Sequence, residues 1–195
     1  MNVRLFKIII ILIFLGVSTT SFSQRGKKST PEAKLRDAEF YFTEGEKYFI
    51  LEDYAKALDR FQKSLDINPK NATVYYKISQ VYSRGSELEK ALQNGLKALE
   101  LEKNNKYFYE LVANIYTQLG DFARAAETYE TLIEKVDKTN IYLFELAALY
   151  LYQQRFEDAL DTYKKVEKAY GITEEIISQK QKIYLHIYIY IYVYI

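Results

Sequence analysis

The sequence predicts an all-α fold built as a solenoid of stacked antiparallel helix pairs, and three observations carry that prediction. Residues recur at an interval of 34 without insertion: Ala57, Ala91, Ala125 and Ala159 form one column, and Tyr48, Tyr82, Tyr116, Tyr150 and Tyr184 another. Such an interval is the signature of stacked supersecondary units. Within each interval, apolar residues return at three- and four-residue spacing, as in Ile78, Val81 and Tyr82 and in Phe122, Ala125, Ala126, Tyr129, Leu132 and Ile133. That is the stripe of a helix buried on one side. Finally, small residues hold a column of their own, Gly45, Ser79, Ala113 and Ala147, where one helix backbone has to approach another. A single pair cannot bury its stripe, so stability must come from neighbours in series.

Composition narrows the function classes. With 27 Lys and Arg against 26 Asp and Glu, no basic excess draws the chain to nucleic acid or to an anionic surface. There is no Cys and one His, His186. Thiolate sites, disulfides, a histidine-based triad and a multi-histidine metal site are therefore excluded. Seven scattered glycines form no phosphate loop. Adjacent acids such as Glu174 and Glu175 read as a helix start. No catalytic residue, no metal ligand and no cofactor is expected, and the chain is read as a binding protein and not an enzyme.

In chain order, residues 1–23 have the layout of a secretory signal: Arg4 and Lys7, an apolar run from Ile8 to Val17, then small polar residues. A run of about ten residues is short of the roughly 20 that span a bilayer as a helix. Ser21 and Ser23 fit a peptidase that accepts small side chains, so cleavage is expected between Ser23 and Gln24, with no stable membrane insertion afterwards. The expected destination is the periplasm or cell envelope. Residues 24–30 form a polar lead-in. Thr30, Pro31 and Glu32 then open a helix with a hydroxyl cap, a ring at the first helical position and an acid near the positive end of the dipole.

Four units follow over residues 31–171, starting at 38, 72, 106 and 140. Leu119, Gly120 and Asp121 mark a turn within the third, with a residue free to take positive φ and then a capping acid. Asn68 and Pro69 end the first. Gly95 breaks a column otherwise filled by Phe61, Tyr129 and Tyr163, and its missing side chain is read as room for Tyr75 or Tyr109. The Tyr48 to Tyr184 column is read as core, each phenol reaching a polar edge. After Gly171, residues 172–185 start a partial fifth unit, with Thr173 as cap and Ile176, Ile177, Ile183 and Tyr184 in register. Residues 186–195 then alternate Ile or Val with Tyr, a strand period. Two readings stand. Tyr and Ile codons can both be written from TA repeats, so on one reading the native frame is lost near Leu185 in a longer array; on the other the run is a genuine strand. Either way an uncharged, proline-free end with high β propensity is expected to self-associate, and its deletion is expected to leave helix content intact.

These columns resemble the tetratricopeptide repeat, whose large, small, aromatic, Ala, aromatic and Pro positions fall on Tyr41, Gly45, Tyr48, Ala57, Phe61 and Pro69. Glu44 departs from the pattern, and Lys103, Asp137 and Gly171 replace the proline in later units. The resemblance implies a right-handed superhelix of four pairs plus a partial fifth, similar to the N-terminal part of longer exported bacterial proteins. It also implies a partner groove on the first helices: Phe42, Glu46 and Phe49; Tyr76 and Gln80; Tyr107 and Asn114; Phe144 and Leu151. The rings on this face either grip a protein or peptide partner or thicken the packing between units. The family's carboxylate clamp is not expected, because Phe42, Glu46, Lys77, Tyr107 and Leu111 stand at its positions. The function implied is a protein- or peptide-binding scaffold; the alternative is a structural fragment without binding activity.

Overall fold

The computed structural model describes residues 30–194. The chain divides into two compact units, Met1–Ala33 and Lys34–Ile195. In the first, Thr30 Oγ1 accepts the Ala33 amide at 3.2 Å, the hydroxyl cap of a helix start. The signal-like segment, the Ser23/Gln24 cleavage position and residues 24–29 lie outside the described residues.

Among the described residues the fold is helical throughout, with nine α-helices and no strand. The helices are α1 Pro31–Ile50, α2 Tyr54–Ile67, α3 Ala72–Arg84, α4 Leu88–Leu101, α5 Lys106–Gln118, α6 Phe122–Thr131, α7 Leu143–Tyr152, α8 Phe156–Tyr170 and α9 Glu174–Tyr194. A π-turn at Leu132–Val136 continues α6, and a 3-10 turn at Asn140–Tyr142 leads into α7. From α2 onward contacts run from each helix to the next, as a solenoid requires.

The alanine column explains how closely the pairs seat. Ala57, Ala91, Ala125 and Ala159 have no exposed surface, so any added carbon meets a neighbouring helix. Column sizes also compensate between partners. A methyl on Gly45 would lie 2.5 Å from the Phe61 ring, so the bare backbone of α1 is what admits that ring. In the next pair the large residue is absent: a methyl on Gly95 would stand 2.9 Å from Val112 Cγ2 and 3.2 Å from Ser79 Oγ. The room at Gly95 is thus taken by Val112 and Ser79, and not by Tyr75 or Tyr109 as the sequence suggested. The buried Ser79 hydroxyl is satisfied by donating to the Ala91 carbonyl, and Ser64 donates likewise to Ala38.

Every pair turns in the same way. After α1 the amide of Glu52 donates to Phe49 O and that of Asp53 to Tyr48 O; the same two bonds recur from Ser86 and Glu87, Gly120 and Asp121, and Gln154 and Arg155. This is the Schellman arrangement, with its pivot residue in the left-handed region. Glycine fills that pivot only at Gly120 (φ 76°), while Glu52, Ser86 and Gln154 hold φ 58°. The residue that closes one helix then opens the next: Asp53 and Asp121 accept the amides of Lys56 and Arg124. The cations three residues on lie over the tyrosine column, Lys56 over Tyr48 at 5.4 Å, Lys90 over Tyr82 at 5.3 Å and Arg124 over Tyr116 at 4.9 Å. In the fourth turn the charges are exchanged: Arg155 stands at the cap, pairs with Asp158 and covers Tyr150 at 4.4 Å. Tyr116 and Tyr150 are buried, but Tyr184, in the same column, is exposed.

The units that lack proline stop by other means. Asp137 pairs with Lys106 at 3.0 Å and accepts the Thr139 amide. Its carboxyl is held down at about 2, by Thr139 first and then by the Lys106 ammonium. Gly171 ends α8 at φ 86°.

The alternating tail is a correction. Residues 186–194 continue α9, and the strand period does not produce a strand. Helix α9 packs on α8 through Ile176 and Ile183, both buried, with Lys180 paired to Glu167 at 2.9 Å. Ile177 and Tyr184 face solvent. Because the tail is helical, removing it would reduce helix content, contrary to the expectation from sequence.

Candidate partner-binding surface

The expected groove residues of the first helices α1, α3, α5 and α7 are found in three different states. In the first group the ring is committed to the interior. Phe42 lies 5.9 Å from Phe61 and Phe144 6.4 Å from Tyr163, and Phe49, Phe144 and Leu151 are half-buried against the core. In the second, neighbouring groove residues satisfy one another. Lys77 pairs with Glu46 at 2.7 Å and sits 5.6 Å above the Phe49 ring, so one ammonium ties α1 to α3. Tyr76 stacks on Phe108 at 5.0 Å and accepts from Gln80 Nε2 at 3.0 Å; Gln80 Oε1 is buried without a partner among the described residues. Burial pushes the Tyr76 phenol up, with the Glu110 charge adding to it.

The third group is open. Tyr107 is 57% exposed with the Lys106 ammonium over its ring at 5.7 Å, and Ile141 is 49% exposed. Asn114 is exposed and accepts a bond from Tyr129 Oη at 3.1 Å. Beside it a recess of about 150 Å³ opens between α5 and α7, lined by Asn114, Thr117, Tyr129, Glu145, Ala148 and Tyr152. The Tyr129 phenol is pushed well above its usual range, by burial first and then by the charges of Glu145 and Glu110. Among the described residues, no group of three His, Cys, Asp or Glu side chains converges as a metal site would need, and no helix is long and apolar enough to cross a membrane.

A family model described as TPR repeat matches residues 45–85, and one described as tetratricopeptide repeat matches residues 113–171. The chain belongs to the tetratricopeptide-repeat family. Among solved structures, this TPR chain is similar to a tetratricopeptide repeat protein from Parabacteroides merdae (TM-score 0.66, 19% identity), over 72% of this chain and 56% of that one. It is similar to YrrB, a TPR protein with an unusual peptide-binding site (TM-score 0.66, 18% identity), over 80% of this chain and 79% of that one. It is also similar to the TPR2B domain of yeast Sti1 in its pHsp70 complex (TM-score 0.53, 22% identity), over 62% of this chain and 98% of that one. No curated protein matches by sequence. At these identities the likeness to the solved structures is one of fold.

Sequence reasoning missed Tyr129, Glu145 and Tyr152 on the TPR surface. Tyr129 sits in a second-helix column that reads as core, and it is indeed buried, with its hydroxyl donating to Asn114. A signal was present. The residue 15 positions before that column is Glu46, Gln80, Asn114 or Ala148, facing Phe61, Gly95, Tyr129 or Tyr163. Only the third unit sets an amide opposite a hydroxyl.

Proposed function

We propose that this protein is a non-catalytic scaffold that holds a protein or peptide partner along the row of first helices, exported to the periplasm or cell envelope. The carrying observation is the third state described above. Between α5 and α7 the surface keeps an exposed ring, an exposed amide and an open recess at the positions that elsewhere close on one another. Rings held by packing grip an extended segment with little loss of side-chain entropy. YrrB, a TPR protein with an unusual peptide-binding site, and the Sti1 domain in its complex support reading the chain as one that binds a protein or peptide. Export rests on the signal-like residues 1–23 alone.

Site-specific photocrosslinking tests the binding face. A crosslinker at Tyr107 or Ala148 is expected to trap one discrete partner in the envelope fraction, and the same group at Gln93 to trap none. Equal yields from both faces would overturn the reading. Intact mass of the envelope protein is expected to lack the first 23 residues, and a retained N-terminus would remove the export proposal.

A further inference from the structure

The internal repeat lets one junction between units act as a template for another. In the first junction, position nine of one first helix and position six of the next are Glu46 and Lys77, 31 residues apart. The Lys77 ammonium is held between the Glu46 carboxylate and the Phe49 ring. In the third junction the same two positions are Asn114 and Glu145. The carboxylate is again present, now on the later helix, and aromatic walls are present in Tyr129 and Tyr152. The cation is missing: Glu145 and the nearby Glu110 have no ion-pair partner among the described residues.

Where the ammonium would sit there is instead the recess of about 150 Å³. A recess of about that size has room for one side chain. Its lining, with Tyr129, Tyr152, Ala148 and Thr117, is largely apolar and suits an aliphatic stem, and Glu145 lines it as well. Lysine and arginine bury their stems and leave the charged head at a polar edge. An aromatic face beside a carboxylate favours that head further.

We propose that the recess between α5 and α7 is a subsite for a single lysine or arginine side chain of an extended basic segment, which supplies in trans the cation that Lys77 supplies internally to Glu46. This rests on the binding-face reading above and adds the chemistry of what is bound.

The test uses the full chain and three synthetic probes, glycine-serine nonapeptides whose central residue is lysine, arginine or norleucine, titrated against the amide NMR signals of Asn114, Glu145 and Ala148. The lysine and arginine probes are expected to bind about tenfold more tightly than the norleucine probe. Glu145→Gln is expected to erase that difference while leaving norleucine binding unchanged; as Glu145 is exposed, the variant should fold. Ala148→Leu, which fills the recess, is expected to weaken all three. Norleucine binding as tightly as lysine at the same signals would overturn the cation subsite and leave the binding face standing. If no probe moves any signal of the first-helix row, both readings fall.

Discussion

The turn that closes each helix pair and the stretch of α9 one repeat further on occupy the same columns, yet one reverses the chain and the other does not. The pivot column reads Glu52, Ser86, Gly120, Gln154 and then Tyr188; the capping column reads Asp53, Glu87, Asp121, Arg155 and then Ile189. In the first four the pivot takes positive φ, and the residue after it donates back to the tyrosine carbonyl. At Tyr188 and Ile189 the helix simply continues. A β-branched or bulky residue resists the left-handed region, and isoleucine has no oxygen with which to cap a following helix. Without the chemistry to stop, the i to i−4 ladder is the lower-energy path. A two-residue account of the reversal fits Gly120 and Asp121 best; the side chains of Glu87 and Arg155 accept no amide, so their turns draw also on the helices they join.

The largest expected effect comes from removing the one glycine that matches its pivot. Nothing lies within 4 Å of the position a methyl would take at Gly120, so a substitution there reports on backbone conformation alone. Gly120→Val is expected to destabilise the chain by about 2 kcal/mol, measured by urea denaturation. An unchanged midpoint would show that the turn tolerates another φ.

Next in size is the cap. Asp121→Ala removes the acceptor for the Arg124 amide and is expected to lower the melting midpoint by a few degrees. Arg155→Ala at the fourth turn, where no side chain caps the helix, is expected to do less. Acid separates the same turns. The carboxyls of Asp53 and Asp121 lie below their usual value because of hydrogen bonds from Lys56 and Arg124. A depressed folded pKa adds stability above the unfolded value of about 3.9 that is lost as pH falls through the folded one. Amide protection at the first and third turns, taken relative to the intrinsic exchange rate at each pH, should therefore fall as pH is lowered from about 5 through this window. The fourth turn, with arginine at its cap, should not follow.

A smaller gain is expected where the pivot is not glycine. Ser86 is exposed and holds φ 58°. Ser86→Gly relieves the left-handed strain but adds freedom to the unfolded chain, for a net stabilisation of about 0.5 kcal/mol. A loss of stability would mean that the Ser86 conformation is not strained.

These sites also show what was legible beforehand. The 34-residue columns, the zero-exposure alanines and the Gly120–Asp121 turn follow from side-chain size and spacing, which a sequence states directly. Three things were not legible. The non-glycine pivots Glu52, Ser86 and Gln154 carry no local signal of positive φ; it is imposed on them by the helices they join. The occupants of the space at Gly95 depend on how two pairs seat, which spacing alone leaves open. The tail misled because a period of two describes which faces alternate, whereas here packing of Ile176 and Ile183 on α8 extends a helix through it. On the first-helix face, whether a ring turns into the core or toward solvent depends on the residue opposite, which position numbers do not state.

The smallest effect on stability, and the sharpest test of the two-residue account, is to write the missing turn into α9. Tyr188 and Ile189 are both exposed, so replacing them disturbs little packing, while the contacts that seat α9 lie earlier, at Ile176, Ile183 and Ile187. Tyr188→Gly with Ile189→Asp restores the pivot and cap of the third turn. The double variant is expected to break the helix at residue 188, seen as a loss of helical carbon shifts there. Its melting midpoint should stay within about a degree of the parent, since exposed surface sites contribute little. Tyr188→Gly alone supplies the pivot without the cap and is expected to fray the helix without reversing it. If the double variant remains helical through residue 194, two residues do not suffice, and the turns depend on the packing of the second helix that follows them.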